Sequence, residues 1–209
     1  MKKIMDSIPP PEPAAACDRA WEALVRARAS YLSDVSPHYD EVFWEIAQRA
    51  ERAESLGKGD IAALVVWKRL SAQTPWVSRL MSLPETQVRA VTARAVITVR
   101  DFALSREEAA RTGRAVLCEL PGFRTGDAMA SAVLTAAAPK RMAVYDRRVQ
   151  HALNALGLTL TRAPGRYGRY MQLLGDLLDH RHKNADDWTA RDIDTALYWI
   201  GKNPQVIDH

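Results

Sequence analysis

Apolar residues recur at helical spacing along almost the whole chain from Cys17 onward, and this periodicity restricts the fold more than any other feature of the sequence. The stretch 61–67 is entirely apolar, and the apolar positions within 42–47 recur at three- and four-residue intervals, as on one face of an α-helix. The one run of β-branched residues, 96–99, lies inside a longer helical pattern. The sequence therefore predicts an all-α fold, a helical bundle.

The two ends of the chain differ in composition. Residues 1–16 are rich in proline and alanine and are predicted to be a flexible arm, followed by one helical domain over 17–209. With 47% hydrophobic residues, the chain can bury a core. We expect neither a signal peptide nor a membrane span, so a cytoplasmic location is the default expectation.

Charge and cysteine content limit the classes of partner and cofactor. The chain has 29 Lys and Arg against 25 Asp and Glu, which permits a polyanionic partner without requiring one. Cys17 and Cys118 cannot supply the four thiolates of an iron–sulfur cluster. The Asp- and His-containing run 179–187 lacks a clean ligand face and is interpreted as a solvated helix end. We therefore predict no metal and no cofactor.

Two glycines mark a hairpin between two predicted helices, in the segment 120–126, which reads LPGFRTG. Gly122 and Gly126 can adopt positive φ angles, which a tight turn requires. They also leave backbone N–H groups uncovered at the start of the next helix, where a phosphate oxygen can bind. The small residues of 128–136 permit that helix to pack closely.

A single carboxylate follows the apolar stretch 142–145. Asp146 stands directly before a predicted helix, which is the position of an N-cap.

Together these segments resemble the helix-hairpin-helix DNA glycosylase superfamily, which includes endonuclease III and the adenine and 8-oxoguanine glycosylases. The family hairpin reads Leu-Pro-Gly-Val-Gly and is followed, further along, by Val-Asp-X-X-Val and Leu-Gly-Leu. Here 120–122 matches the hairpin, Asp146 falls on the family aspartate, and Val149 and 156–158 keep the register. The resemblance covers about residues 115–158.

The resemblance implies a helical fold of the glycosylase type that binds double-stranded DNA and extrudes a damaged or modified base, with an oxidised purine as one plausible substrate. Asp146 would stabilise the positive charge that develops on the sugar as the N-glycosidic bond breaks. A turn at 70–73 resembles the family turn whose polar side chain, here Gln73, fills the gap left by the base; Trp76 and Phe123 fit this role by chemistry alone. The predicted DNA-contacting residues are Gly122, Phe123, Arg124, Thr125, Gly126, Gln73 and Arg147.

Two departures from the family pattern concern the hairpin. Arg124 replaces the second hairpin glycine, which adds charge near the phosphate site. Gly126 occupies the position of the Schiff-base lysine of the bifunctional enzymes, and glycine cannot form the imine that starts strand cleavage. The resemblance therefore implies a monofunctional enzyme without lyase activity, unless another amine substitutes, with Lys140 as the nearest candidate in the sequence.

Simpler roles for the same residues stay open. Asp146 alone would serve as an N-cap, Gln73 as an exposed turn residue, and Arg147 as a surface ion-pair partner. Two other functions also stay open: a helix-hairpin-helix protein that binds DNA without turnover, and a helical interaction protein unrelated to DNA. A carboxylate beside phosphate opposes DNA binding, so the glycosylase hypothesis accounts best for Asp146.

Overall fold

The computed structural model describes residues 13–161, 163–181 and 185–207, with side chains from Asp18 onward. The described residues form helices and no strand, which confirms the predicted all-α class. Residues 1–12 of the predicted arm lie outside the described residues, and the first helix begins at Pro13. The α-helices are α1 (Pro13–Asp34), α2 (Glu41–Ala53), α3 (Lys58–Trp67), α4 (Pro75–Met81), α5 (Glu85–Arg100), α6 (Arg106–Leu117), α7 (Ala128–Ala137), α8 (Arg147–Ala155), α9 (Arg166–Asp179) and α10 (Ala190–Lys202), followed by a 3-10 helix (Pro204–Ile207).

A local sequence signal explains where α6 begins. Ser105 accepts a hydrogen bond from Glu108 N (3.1 Å), and Glu108 Oε2 accepts one from Ser105 N (3.1 Å), which forms the capping box of α6.

The β-branched run 96–99 lies within α5, so the surrounding helical pattern overrides its β-propensity.

The central helix of the core is α7. Every residue from Met129 to Ala137 is buried, and the helix contacts α2, α3, α5 and α6. Its small side chains allow these neighbours to approach closely. Because α7 begins just after the hairpin and ends just before the segment that leads to Asp146, it joins the two motifs through the interior.

A close contact fixes α8 against α10. A Cβ atom on Gly201 would lie 2.1 Å from the carbonyl oxygen of Arg148, so only glycine permits this approach. The first turn of α8 is therefore held against the last turn of α10, and α10 in turn packs along α1.

Within the described residues, none of the helices combines the length and the hydrophobicity that crossing a membrane requires.

Candidate functional site

Asp146 is the N-cap of α8, as the sequence predicts. Its Oδ1 accepts hydrogen bonds from the backbone N–H groups of Arg148 (2.9 Å) and Val149 (3.2 Å). Its Oδ2 lies 2.6 Å from the ammonium of Lys68. The side chain keeps 19% of its surface exposed, so the carboxylate is fixed by three donors and still reaches an opening.

The segment before Asp146 is held in place by buried hydroxyl groups. Tyr145 N donates to Ser131 Oγ (2.9 Å) in the first turn of α7. The phenol of Tyr170 on α9 donates to the carbonyl oxygen of Val144 (3.2 Å). These contacts anchor the backbone on two sides and give the carboxylate a fixed position.

The pKa of Asp146 lies below its ordinary value of 3.8. Burial is the largest influence and raises this pKa, but the charge and hydrogen bond of Lys68, with the N–H groups of Val149 and Arg148, outweigh it. Asp146 is therefore a carboxylate at neutral pH.

Lys68 is a site residue that sequence reasoning missed. It is the C-cap of α3, and its side chain is only 11% exposed. It is separated from Asp146 by 78 positions in the chain, and no motif marks it. Lys140, by contrast, is exposed and lines a different groove, beside Phe102 and Trp44. The amine beside Asp146 is thus Lys68 and not Lys140.

Asp146 and Lys68 lie in a partly open pocket whose empty space, including the open solvent at its mouth, is about 470 Å³. Its walls come from helices α1, α3, α8 and α10, the turn after α3, the loop before α2 and the segment before α8. The lining residues are Tyr31, Tyr39, Trp67, Lys68, Arg69, Val144, Asp146, Arg148, Arg191, Asp194, Thr195 and Tyr198. The pocket combines aromatic walls with charges of both signs, a composition typical of ligand sites.

One wall of the pocket is a buried ionic network. The guanidinium of Arg191 pairs with Asp194 and with Asp40, at 3.0 Å from the Oδ2 of Asp40. It also lies over the rings of Phe43 (5.2 Å) and Trp67 (5.3 Å). Burial raises the pKa of Asp194, although the charges of Arg191 and Lys68 oppose that shift. The network thus places a second carboxylate in the lining of this pocket.

The predicted hairpin is present between α6 and α7. Gly122 and Gly126 have φ angles of 90° and 74°, so both glycines adopt the left-handed conformation for which they were singled out. A Cβ on Gly122 would lie 2.3 Å from the ring of Trp76, so this glycine is required for packing as well. Arg124 is not among the positive-φ residues, and the turn therefore accommodates it without backbone strain.

Two residues considered as wedges pack against the hairpin. The side chain of Phe123 is fully buried in the core and has no exposed surface to insert into DNA. Trp76 is half-buried and packs over Gly122, with its ring 6.4 Å from that of Phe123. Both aromatic rings therefore stabilise the hairpin by packing against it and against each other.

The remaining predicted DNA-contacting side chains are accessible. Arg124, Thr125 and Gly126 are exposed on the hairpin, and Arg147 is exposed at the start of α8. Gln73 is exposed in the turn between α3 and α4.

The segment 68–76 connects the two motifs. At one end Lys68 pairs with Asp146, and at the other end Trp76 packs on Gly122. Gln73 lies between these two anchored residues and remains exposed. The exposed Gln73 turn therefore lies on a segment that is anchored to Asp146 at one end and to the hairpin at the other. The hairpin residues line a cavity separate from the pocket of Asp146.

A second connection runs through α9. The guanidinium of Arg166 lies 2.9 Å from Oδ2 of Asp127, which directly follows the hairpin, and 5.0 Å from the ring of Tyr145, which precedes Asp146. The hairpin and the aspartate are thus linked by side-chain contacts as well as by α7.

Among the described side chains, no group of three or more His, Cys, Asp or Glu residues is arranged to hold a metal ion. Residues 182–184 of the Asp- and His-containing run lie outside the described residues.

In comparisons with known proteins, no protein-family model matches this sequence. Neither a curated protein nor a solved structure matches it significantly.

Proposed function

We propose that this protein is a monofunctional DNA glycosylase that hydrolyses the N-glycosidic bond of a damaged or modified base, with Asp146 as the catalytic carboxylate. The observation that carries the proposal is the setting of Asp146. It is an ionised side chain, fixed at a helix N-terminus, that lines a partly open pocket. The glycine-bearing hairpin is joined to it through the segment 68–76, which contacts Asp146 at one end and Gly122 at the other.

The chemistry needs an anion at a fixed place. As the bond between C1′ and the base breaks, the electron pair leaves with the base, and positive charge develops on the sugar. A carboxylate held by two N–H groups and an ammonium cannot move away from that charge, so its stabilisation requires little reorganisation. Water then adds to C1′ through its oxygen and releases one proton, and the departing base takes up one proton to become neutral, so that the overall reaction is hydrolysis.

Lys68 favours hydrolysis over lyase chemistry in this proposal. The Nζ of Lys68 lies 2.6 Å from Oδ2 of Asp146 and is engaged in that ion pair, so in this proposal it serves as the partner of the carboxylate and not as a nucleophile. Gly126 offers no amine at the hairpin position. Lys68 therefore acts as a positioning residue that keeps Asp146 ionised and oriented.

The hairpin would hold the DNA backbone. The glycine turn leaves backbone N–H groups at the start of α7 for a phosphate, and the exposed Arg124 adds a positive charge beside it. In this proposal Gln73, which is exposed in the turn between α3 and α4, would enter the gap left by the extruded base.

One observation favours the alternative of a DNA-binding protein without turnover. Both carboxylate oxygens of Asp146 are already engaged, Oδ1 by two backbone N–H groups and Oδ2 by Lys68. Such a residue is also explained as a helix cap in a buried ion pair.

The test is a panel of duplexes, each with one damaged or modified base, incubated with the protein and then treated with alkali. We expect strand breaks at one class of lesion, only after alkali, because hydrolysis leaves an intact abasic strand. Salt-sensitive duplex binding without base release from any lesion would support the alternative, and absence of duplex binding would exclude both functions.

A further inference from the structure

Two arginines at the pocket converge on a single neutral oxygen. Arg69, which follows α3, donates from Nη2 to the hydroxyl of Tyr198 on α10 (2.8 Å). Arg148, in the first turn of α8, donates from Nη1 to the same hydroxyl (3.0 Å). All three residues line the pocket that holds Asp146.

This cluster has donors to spare. A tyrosine hydroxyl accepts up to two hydrogen bonds and donates one, so Tyr198 keeps its own O–H for another acceptor. Each guanidinium has five N–H donors, and one from each is used on Tyr198. The remaining N–H groups of Arg69 and Arg148 and the hydroxyl proton of Tyr198 are therefore left for a further acceptor in the pocket.

The positive charge of the cluster is not neutralised by a neighbouring side chain. Among the described residues, neither Arg69 nor Arg148 forms an ion pair with a carboxylate. The side chain of Asp146 is committed to Lys68 and to backbone N–H groups. Two like charges held on one neutral oxygen repel each other, and an anion placed between them would relieve that repulsion.

The backbone at Arg69 is also unusual. Leu70 N donates to the carbonyl oxygen of Val65 (2.9 Å) and Arg69 N to that of Val66 (2.8 Å), which closes α3 in the manner of a Schellman turn. Arg69 has a φ angle of 53°, a conformation in which glycine is the favoured residue. The strain of a side chain at this position is consistent with a functional use for the guanidinium.

Aromatic rings support the two guanidinium groups. Arg148 lies 5.1 Å from the centroid of the Tyr198 ring, and Arg69 lies 5.9 Å from that of Tyr39. The cluster is thus oriented in the absence of an anion, which lowers the entropy cost of binding one.

We propose that Arg69, Arg148 and Tyr198 bind a phosphate group, specifically a strand phosphodiester that flanks the nucleotide entering the pocket. Planar, multidentate guanidinium donors suit phosphate oxygens, and the cluster adjoins the carboxylate that would face the sugar. This inference rests on the proposed function, and it assigns to the pocket a second phosphate contact, separate from the hairpin.

The test uses a duplex with one tetrahydrofuran abasic-site analogue, because this probe needs no knowledge of the base. The linkage on its 5′ or its 3′ side, or a distant linkage, is replaced by an uncharged methylphosphonate. Wild-type affinity should fall about tenfold for one flanking linkage and remain unchanged for the distant one. The double variant Arg69→Gln/Arg148→Gln should bind all these duplexes with similar affinity, and Tyr198→Phe should show an intermediate loss.

Salt dependence gives an independent readout. Because the two arginines contact one phosphate, the double variant should reduce the slope of log affinity against log salt by about 0.9, and neither Arg69→Gln nor Arg148→Gln alone should reduce it by more than that. Arg52→Gln, an exposed arginine on α2, is the matched control and should leave both readouts unchanged. Thermal unfolding of each variant checks that the fold is kept.

The outcomes separate this inference from the proposed function. Equal methylphosphonate sensitivity in the wild type and the double variant would overturn the phosphate site even if bases are released. A different result would be that a deoxynucleoside monophosphate binds in an arginine-dependent manner while the methylphosphonate has no effect on duplex binding. The site would then bind the phosphate of a free nucleotide, and its assignment to a phosphodiester of the DNA strand would be wrong. A loss at one flanking linkage that is present in the wild type and absent in the double variant supports the site even if no lesion is processed.

Discussion

The ammonium of Lys68 lies 2.6 Å from Oδ2 of Asp146, and this contact joins the end of α3 to the start of α8. The pair is mostly buried, and the backbone N–H groups that hold Oδ1 complete the coordination of the carboxylate. The Asp146 carboxylate therefore contributes to the stability of the fold through these contacts, and the same charged group lines the pocket in which the proposed chemistry would take place.

Asp146→Asn tests the energetic role of this charge. Asparagine is also a good N-cap, so the variant removes mainly the charge and the charge-assisted bond to Lys68. We expect a loss of about 1.5–3 kcal/mol in the free energy of unfolding at neutral pH. Because the pKa of Asp146 is lowered in the folded state, the wild-type advantage should be present above its ordinary pKa of 3.8 and disappear as the pH falls through the folded value. Urea unfolding of both proteins across pH measures this, and a difference that does not change with pH would contradict it.

Borohydride trapping on a duplex with an abasic site tests the role of Lys68. Because the ammonium is ion-paired, we expect no covalent adduct with the wild type under conditions in which a bifunctional glycosylase is trapped. An adduct that forms with the wild type and is lost in Lys68→Gln, but not in Lys140→Gln, would make Lys68 a nucleophile and contradict the monofunctional mechanism.

The two hairpin glycines should respond differently to alanine. Both have positive φ, which costs an alanine about 1 kcal/mol or more. Only Gly122 is also packed under Trp76, whereas a Cβ on Gly126 meets no atom within 4 Å. Gly122→Ala should therefore lower the free energy of unfolding by clearly more than Gly126→Ala, which serves as the matched control. Equal losses in urea unfolding would show that the contact with Trp76 is unimportant.

Arg191→Met tests the buried ionic wall. The substitution leaves Asp40 and Asp194 without their shared partner, and we expect a loss of about 3–5 kcal/mol in unfolding free energy. Arg94→Met, which breaks an exposed pair with Glu119 that water and salt screen, should have little effect on the free energy of unfolding. Thermal and urea unfolding compare the two variants, and similar small losses in both would contradict a structural role for the network.

Local features of the fold could be predicted from the sequence. The all-α class, the capping box at Ser105, the N-cap at Asp146 and the glycine turns of the hairpin depend on residues close together in the chain. Short-range periodicity and capping chemistry therefore sufficed for them.

The lining of the pocket could not be predicted in this way. Lys68, Arg69 and Tyr198 come from segments that are distant in sequence from Asp146, and each alone has the pattern of an ordinary helix-end or surface residue. The burial of Phe123 could not be predicted either. Its aromatic side chain suits a DNA wedge by chemistry, but tertiary packing buries it fully. In both cases the missing information is the relative placement of helices.

The most direct measurement of the catalytic role of Asp146 is single-turnover base release by wild type and Asp146→Asn on a lesion duplex that the wild type processes, with duplex affinity measured in parallel. We predict that the variant loses at least about 100-fold in rate, since it lacks the anion that stabilises the charged sugar, while its affinity for the duplex is retained or increased. Base release at the wild-type rate by a folded Asp146→Asn protein would contradict the assignment of Asp146 as the catalytic carboxylate.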